Sequence, residues 1–115
     1  PLGTLSVQTY LKGNDFKPSK EPFVATLDAD KVKTPLVLRR IQQGDRFKPY
    51  GMKGCSKLIS DYLTDKKIEM DERREQCVVC DADGDIIWLP GHRISHNVAC
   101  SDNTINILEL RYSNI

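Results

Sequence analysis

No apolar run in these 115 residues approaches the roughly 20 that a membrane-spanning helix needs, which excludes a helical membrane protein. Pro1 to Thr4 carry neither an initiator methionine nor a basic segment leading into an apolar one. The start is therefore not a secretory signal, and the expectation is a piece cut from a longer chain. Cysteine is sparse: four residues at uneven spacing, 55, 77, 80 and 100. That is a weak basis for a disulfide framework and suits free thiols in a reducing, cytoplasmic setting. Nucleophile elbows, phosphate loops and H-E-x-x-H are missing, as are internal repeats and low-complexity tracts. What is left has ordinary globular composition, 39% hydrophobic and 29% charged. The length holds one core but not comfortably two, so residues 1–115 are expected to form a single domain, with 1–20 a linker plus a first strand.

Net charge is only +1, but it is unevenly spread. Residues 1–30 carry −1, residues 31–67 carry +7 and residues 68–115 carry −5. A basic middle block is what phosphate-bearing partners require, provided the fold gathers it on one face; otherwise it is a solvated surface balanced by the acidic third.

Alternation of polar and apolar residues over 4–10 predicts a half-buried strand. Strand composition returns at 23–27 and 35–41, with a short helical turn between 28 and 33. Residues 42–54 hold three glycines and a proline without a period, which predicts a long structured loop. Leu58, Ile59, Tyr62 and Leu63 fall on one helical face, with Ser56 placed to cap its start and Lys66 and Lys67 at the negative end of its dipole. A second short helix is expected at 71–75. Residues 76–80 and 85–90 read as a hairpin around Asp81-Ala82-Asp83-Gly84, and 104–112 as a last strand. The fold class is α+β: a small mixed or antiparallel sheet domain with a central helical insert.

Cys77-Val78-Val79-Cys80 has the spacing of half a zinc site or a redox pair. Two valines between the thiols favour an extended strand that sends the sulfurs to opposite faces, so no metal site is assigned. Asp81, Asp83 and Asp85 place their glycine too early for a calcium loop and read as a turn. His92 and His96 are flanked by loop residues and do not make a helical ligand pair. The stretch from Arg39 to Gly54 combines arginine forks, lysines and amides freed by glycines, which is the chemistry phosphate oxygens need. Phe47 and Tyr50 within it either anchor the loop or offer a ring to a base. Asp45 is expected to cap a turn and hold Arg46.

Gly44-Asp45-Arg46-Phe47-Lys48-Pro49-Tyr50-Gly51-Met52-Lys53-Gly54, then Lys57-Leu58, Ser60-Asp61-Tyr62-Leu63, Lys67-Ile68 and Arg73, and finally Ile86-Ile87-Trp88-Leu89-Pro90-Gly91-His92-Arg93-Ile94, closely resemble the C-terminal domain of bacterial tRNA(Ile)-lysidine synthetase. The resemblance runs in order over roughly residues 35–95. It implies a fold similar to a domain of the phenylalanyl-tRNA synthetase β subunit, and a role in holding the acceptor stem of isoleucine tRNA. The family's chemistry sits in an N-terminal domain that uses ATP, with magnesium, to adenylate the wobble cytidine and then joins free lysine to it. That domain's S-G-G-x-D-S phosphate loop is absent here. The resemblance therefore implies a binding appendage that is not itself an enzyme and holds no cofactor, cut from a parent that is an ATP-dependent ligase.

Both lines of reasoning select Arg39, Arg40, Arg46, Lys48, Lys53 and Lys57 as phosphate contacts, followed by Arg73 and Arg93. A-form RNA is read largely by shape, so cations on a rigid surface suffice. Arg39 and Arg40 are consecutive on a strand and cannot both face one patch. Arg73, in an acid-rich helix start, is equally suited to an internal salt bridge. The competing reading is a protein-interaction or homodimerisation module, with Val78, Val79, Ile86 and Trp88 facing a partner unless they fill the core.

Overall fold

A computed structural model describes residues 2–114; Pro1, at the head of the expected linker, and Ile115 lie outside the described residues. The chain forms strands β1 (Thr4–Leu11), β2 (Val24–Asp28), β3 (Val37–Arg40), β4 (Arg46–Phe47) and β5 (Lys57–Leu58), followed by helices α1 (Ile59–Asp65) and α2 (Met70–Glu75). Strands β6 (Cys77–Cys80), β7 (Ile86–Trp88) and β8 (Asn106–Ser113) complete it, with short 3-10 turns at Ala29–Lys31 and His96–Val98. All pairings are antiparallel: β1-β8-β2 in one sheet, β3-β6-β7 in a second, and the small ladder β4-β5. Among the described residues no helix is long and apolar enough to cross a membrane.

β6 is buried along its whole length, and its alternating side chains feed two cores. Val79 joins Ala25, Leu27, Leu108, Leu110 and Trp88 between the two larger sheets. Val78 and Cys80 join Phe47, Ile59, Tyr62 and Leu63 beneath α1. Cys77 and Cys80 therefore lie on opposite faces, and burial pushes both thiols above the ordinary range. Val78, Val79, Ile86 and Trp88 are all interior, so a docking surface built from them is not present. The first strand forms as expected but is mostly exposed rather than half-buried, because β1 is an edge strand with Val7 and Leu11 left in solvent.

Helix α1 starts later than its sequence suggests. Lys57 and Leu58 pair with Phe47 and Arg46 as a ladder, so the helix opens at Ile59 without a side-chain cap. Ser56 instead accepts a hydrogen bond on Oγ from Arg46 Nε, at 3.0 Å. Lys66 and Lys67 lie just past the last helical turn. Lys67 adopts a left-handed φ of 59°, and the amides of Lys67 and Ile68 donate to the carbonyls of Thr64 and Leu63 at 3.0 Å each, a Schellman closure.

The 42–54 loop is held from its first turn. Gly44 takes a φ of 89°, which lets the Asp45 amide donate to the Gln42 carbonyl at 3.1 Å and folds the Asp45 carboxylate back over β3. There it accepts both arms of the Arg39 guanidinium, at 3.0 and 3.1 Å, and the Gln42 amide at 2.7 Å. Asp45 thus holds Arg39, not the neighbouring Arg46. Burial alone would push its carboxyl up; the Arg39 hydrogen bonds, the Gln42 amide and the Arg39 charge outweigh that and hold it below the usual carboxylate range. The Asp45 carbonyl in turn accepts the Ile59 amide at 2.9 Å, tying the loop to the start of α1.

Two outcomes follow. Asp45→Asn should lose about 2 kcal/mol of stability at pH 7 in urea unfolding, the scale of hydrogen bonds to a charged group. A carboxyl with a depressed folded value stabilises fully above its unfolded value of about 3.9, and that stabilisation is lost as pH falls through the lower folded value. The difference between wild type and Asp45→Asn should therefore shrink on acidification; an unchanged midpoint at pH 7 would contradict the anchor. Among the thiols, exposed Cys55 should react first with Ellman's reagent, half-buried Cys100 more slowly, and Cys77 and Cys80 only on unfolding. Rapid native labelling of Cys77 or Cys80 would contradict the burial of β6.

Candidate nucleic-acid interface

From Arg46 to Tyr50 the chain alternates outward and inward: Phe47 and Pro49 are buried, while Arg46, Lys48 and Tyr50 are exposed. An extended backbone makes the last three share one face. Phe47 anchors the segment by packing edge-on against Tyr62, ring centroids 5.6 Å apart. Of the two loop aromatics only Phe47 is an anchor; Tyr50 remains 50% exposed.

The segment is stitched to the chain after β7. Pro49 bridges to Ser95, the Tyr50 amide donates to the Ile94 carbonyl at 3.0 Å, and the His96 amide donates to the Lys48 carbonyl at 2.6 Å. Arg93 reaches across and donates through Nη1 to the Tyr50 carbonyl at 2.9 Å. Gly51 makes that approach feasible. Its φ of 91° is left-handed, and a Cβ there would sit 3.2 Å from the Arg93 guanidinium. At the tip Lys53 is held at a left-handed φ of 55° beside Gly54, a conformation uncommon for lysine that surrounding structure must enforce. The amides of Gly51, Lys53 and Gly54 make no hydrogen bond among the described residues.

The eight cations selected from sequence separate into groups. Arg39, 28% exposed and doubly bonded to a carboxylate that is 12% exposed, is a structural clamp. Arg40 is paired with Glu75 at 3.2 Å and also donates to the Arg74 carbonyl, and Lys57 is paired with Asp65. Both partners, Glu75 and Asp65, are largely exposed, so these two pairs are worth no more than about 1 kcal/mol each and exchange easily. Arg39 and Arg40 do take opposite faces of β3. Arg73 makes no salt bridge among the described residues; its Nε donates to the Ile68 carbonyl at 2.9 Å and closes the turn before α2.

Arg46, Lys48, Lys53 and Arg93 make no ion pair among the described residues. Three belong to the clamped 46–54 segment, and Arg93 to the stretch after β7 that is stitched to it. His96, not selected from sequence as part of this surface, adds an exposed ring beside Gly54, its nearest atoms 3.6 and 3.7 Å from where a Cβ there would lie. Only the tertiary stitch brings it there. Asp81, Asp83 and Asp85 cluster, but as a turn: Asp81 Oδ1 accepts the amides of Asp83 and Asp85 at 3.0 Å each, and Asp83 pairs with Lys33.

The family described as the TilS substrate C-terminal domain matches residues 36–111. Among curated proteins, the chain is similar to the tRNA(Ile)-lysidine synthase of Parabacteroides distasonis, 36% identical over 94% of this chain and 24% of the relative. It is also similar to that of Bacteroides thetaiotaomicron, 37% identical over 82% of this chain and 22% of the relative. The chain thus spans about a quarter of these relatives' length. Among solved structures, a crystal structure of a TilS C-terminal domain superposes with a TM-score of 0.75 at 25% identity, over 96% of this chain and 85% of that one. An N-terminal fragment of the phenylalanyl-tRNA synthetase β subunit from Pyrococcus horikoshii superposes at 0.67, with 18% identity over 80% of this chain and 28% of that one, a likeness of fold alone. With two thirds of its length matched by that family and the same fold in a solved member, the chain belongs to the TilS substrate C-terminal domain family.

Proposed function

We propose that this chain is the tRNA-holding part of a tRNA(Ile)-lysidine synthase and grips the acceptor stem of isoleucine tRNA through the 46–54 segment and Arg93. The observation that carries the reading is that Arg46, Lys48 and Lys53, none in an ion pair among the described residues, stand on one clamped stretch of backbone, with Arg93, likewise without an ion pair, bonded across to its Tyr50 carbonyl. A phosphate that approaches them displaces water and counterions, not a carboxylate, so little internal energy is lost on binding. Arg40 and Lys57 can add contacts by exchanging an exposed carboxylate for a phosphate, whereas Arg39 stays with Asp45. A clamped surface suits a duplex recognised by its shape, because the spacing of the cations does not have to be created on binding.

Adenylation of the wobble cytidine by ATP and attachment of lysine belong, in this reading, to the part of the enzyme beyond this quarter. Here each helix opens on a non-glycine residue, Leu58 or Glu69, not on the glycine-rich turn that cradles nucleotide phosphates. The appendage contributes affinity and orientation: it makes engagement of the distant anticodon an intramolecular event.

The test is binding of this chain to isoleucine tRNA with a CAU anticodon across a salt series, beside an Arg46→Ala, Lys53→Ala variant of confirmed folding. Wild-type affinity should fall steeply with salt, and the variant should bind more weakly with a log–log salt slope shallower by about 2, one for each lost phosphate contact. Absence of binding at low salt, or indifference to the double substitution, would contradict the proposal.

A further inference from the structure

Beside the cationic segment, between residues 18–26 and 91–94, lies a groove of about 320 Å³. Buried Ala25 and Trp88 form its floor; half-exposed Tyr50 and exposed Arg93 and Lys20 stand at its rim. The volume sits at the small end of ligand sites, about 300 to 1,000 Å³, which suits one planar group and its substituents. The rim offers two things a nucleotide uses: an aromatic face for the base and cations for its phosphate.

Tyr50 is what gives the groove direction. Its ring is half in solvent although its backbone is fixed on both sides, by the hydrogen bond its amide donates to the Ile94 carbonyl and by the one its own carbonyl accepts from Arg93. Phe47, three residues earlier, shows that this segment can bury an aromatic ring where packing calls for one. Tyr50 instead shares the outward face with Arg46 and Lys48, so a row of cations ends in an aromatic platform at the groove's edge.

We propose that this groove holds one unpaired nucleotide of RNA, stacked on Tyr50 with its phosphate on Arg93, where a single strand leaves a duplex seated on the cationic segment. The inference rests on the duplex reading above, since Arg93 serves both.

Two RNA hairpins test it: one blunt, and one with the same stem and a short single-stranded 3′ overhang carrying 2-aminopurine. The overhang should raise affinity about tenfold, within the range for stacking one base, and its fluorescence should be quenched on binding. Tyr50→Ala, which keeps the carbonyl that Arg93 grips, should abolish the tenfold advantage and the quench. Ser19→Trp, which fills the groove from the opposite wall, should do the same while blunt-hairpin affinity stays unchanged; it keeps the test decisive if Tyr50→Ala does not fold. Equal affinity for the two hairpins, or an advantage that survives both substitutions, would overturn the groove and leave the duplex reading standing. Failure of both hairpins to bind would overturn the duplex reading and the groove with it. Adenosine monophosphate binding as tightly as the overhang would reassign the groove to a free nucleotide and overturn the strand-end proposal.

Discussion

The double hydrogen bond between Arg39 and Asp45 is the interaction on which the cationic surface depends. A loop rich in glycine and lysine has large conformational entropy and little apolar area with which to offset it. Asp45 supplies the missing constraint: its carboxylate fixes β3 and its carbonyl fixes α1, and the same Asp45 backbone closes the Gly44 turn. One arginine of the basic block is thereby removed from the surface. In exchange, the other cations stand on a backbone whose position is already set, as the proposed grip on RNA requires.

The second constraint is the central strand β6, buried on both faces. Because Val79 belongs to the core between the sheets and Val78 to the core beneath α1, movement of one layer is felt by the other through a single strand. Phe47 packs into the second core, so the first outward cations, Arg46 and Lys48, flank a residue in the protein's interior. The far end of the segment is fixed through residues 93–96, which the turn at 89–92 returns to β7. The surface is thus an extension of the sheet, held by main-chain hydrogen bonds to the Ile94 and Lys48 carbonyls and by the Arg93 side chain on the Tyr50 carbonyl.

Much of this was legible in the sequence. Each predicted strand formed, and the helical face of Ile59, Tyr62 and Leu63 is the buried one, because period and composition are local properties. Cys77 to Cys80 are extended for the same reason: strand geometry alone sends the two sulfurs apart. Two errors have a common origin in tertiary pairing. Ser56 looked like a helix cap because the helical period begins there, but β4-β5 pairing claims Lys57 and Leu58 first. A strand of two residues has no period to detect, so the ladder was invisible inside the loop. Adjacency points Asp45 to Arg46, whereas the left-handed turn at Gly44 returns it to a residue six positions earlier. The sorting of eight cations into clamps, exchangeable pairs and unpaired charges could not be read from sequence, since it depends on which carboxylates the fold brings near. The exposed Tyr50 and the adjacent His96 are products of the stitch between distant segments, for which the sequence carries no local signal.

The central claim is that the RNA-facing surface is the 46–54 segment with the stretch 93–96 stitched to it. Amide chemical-shift mapping of this chain titrated with an acceptor-stem hairpin tests that most directly. The account predicts the largest shifts within residues 44–54 and 93–96, weaker ones at Arg40 and Lys57, and none along β1. Shifts centred on β1 or on the Asp81–Asp85 turn, with the 44–54 amides unmoved, would contradict it.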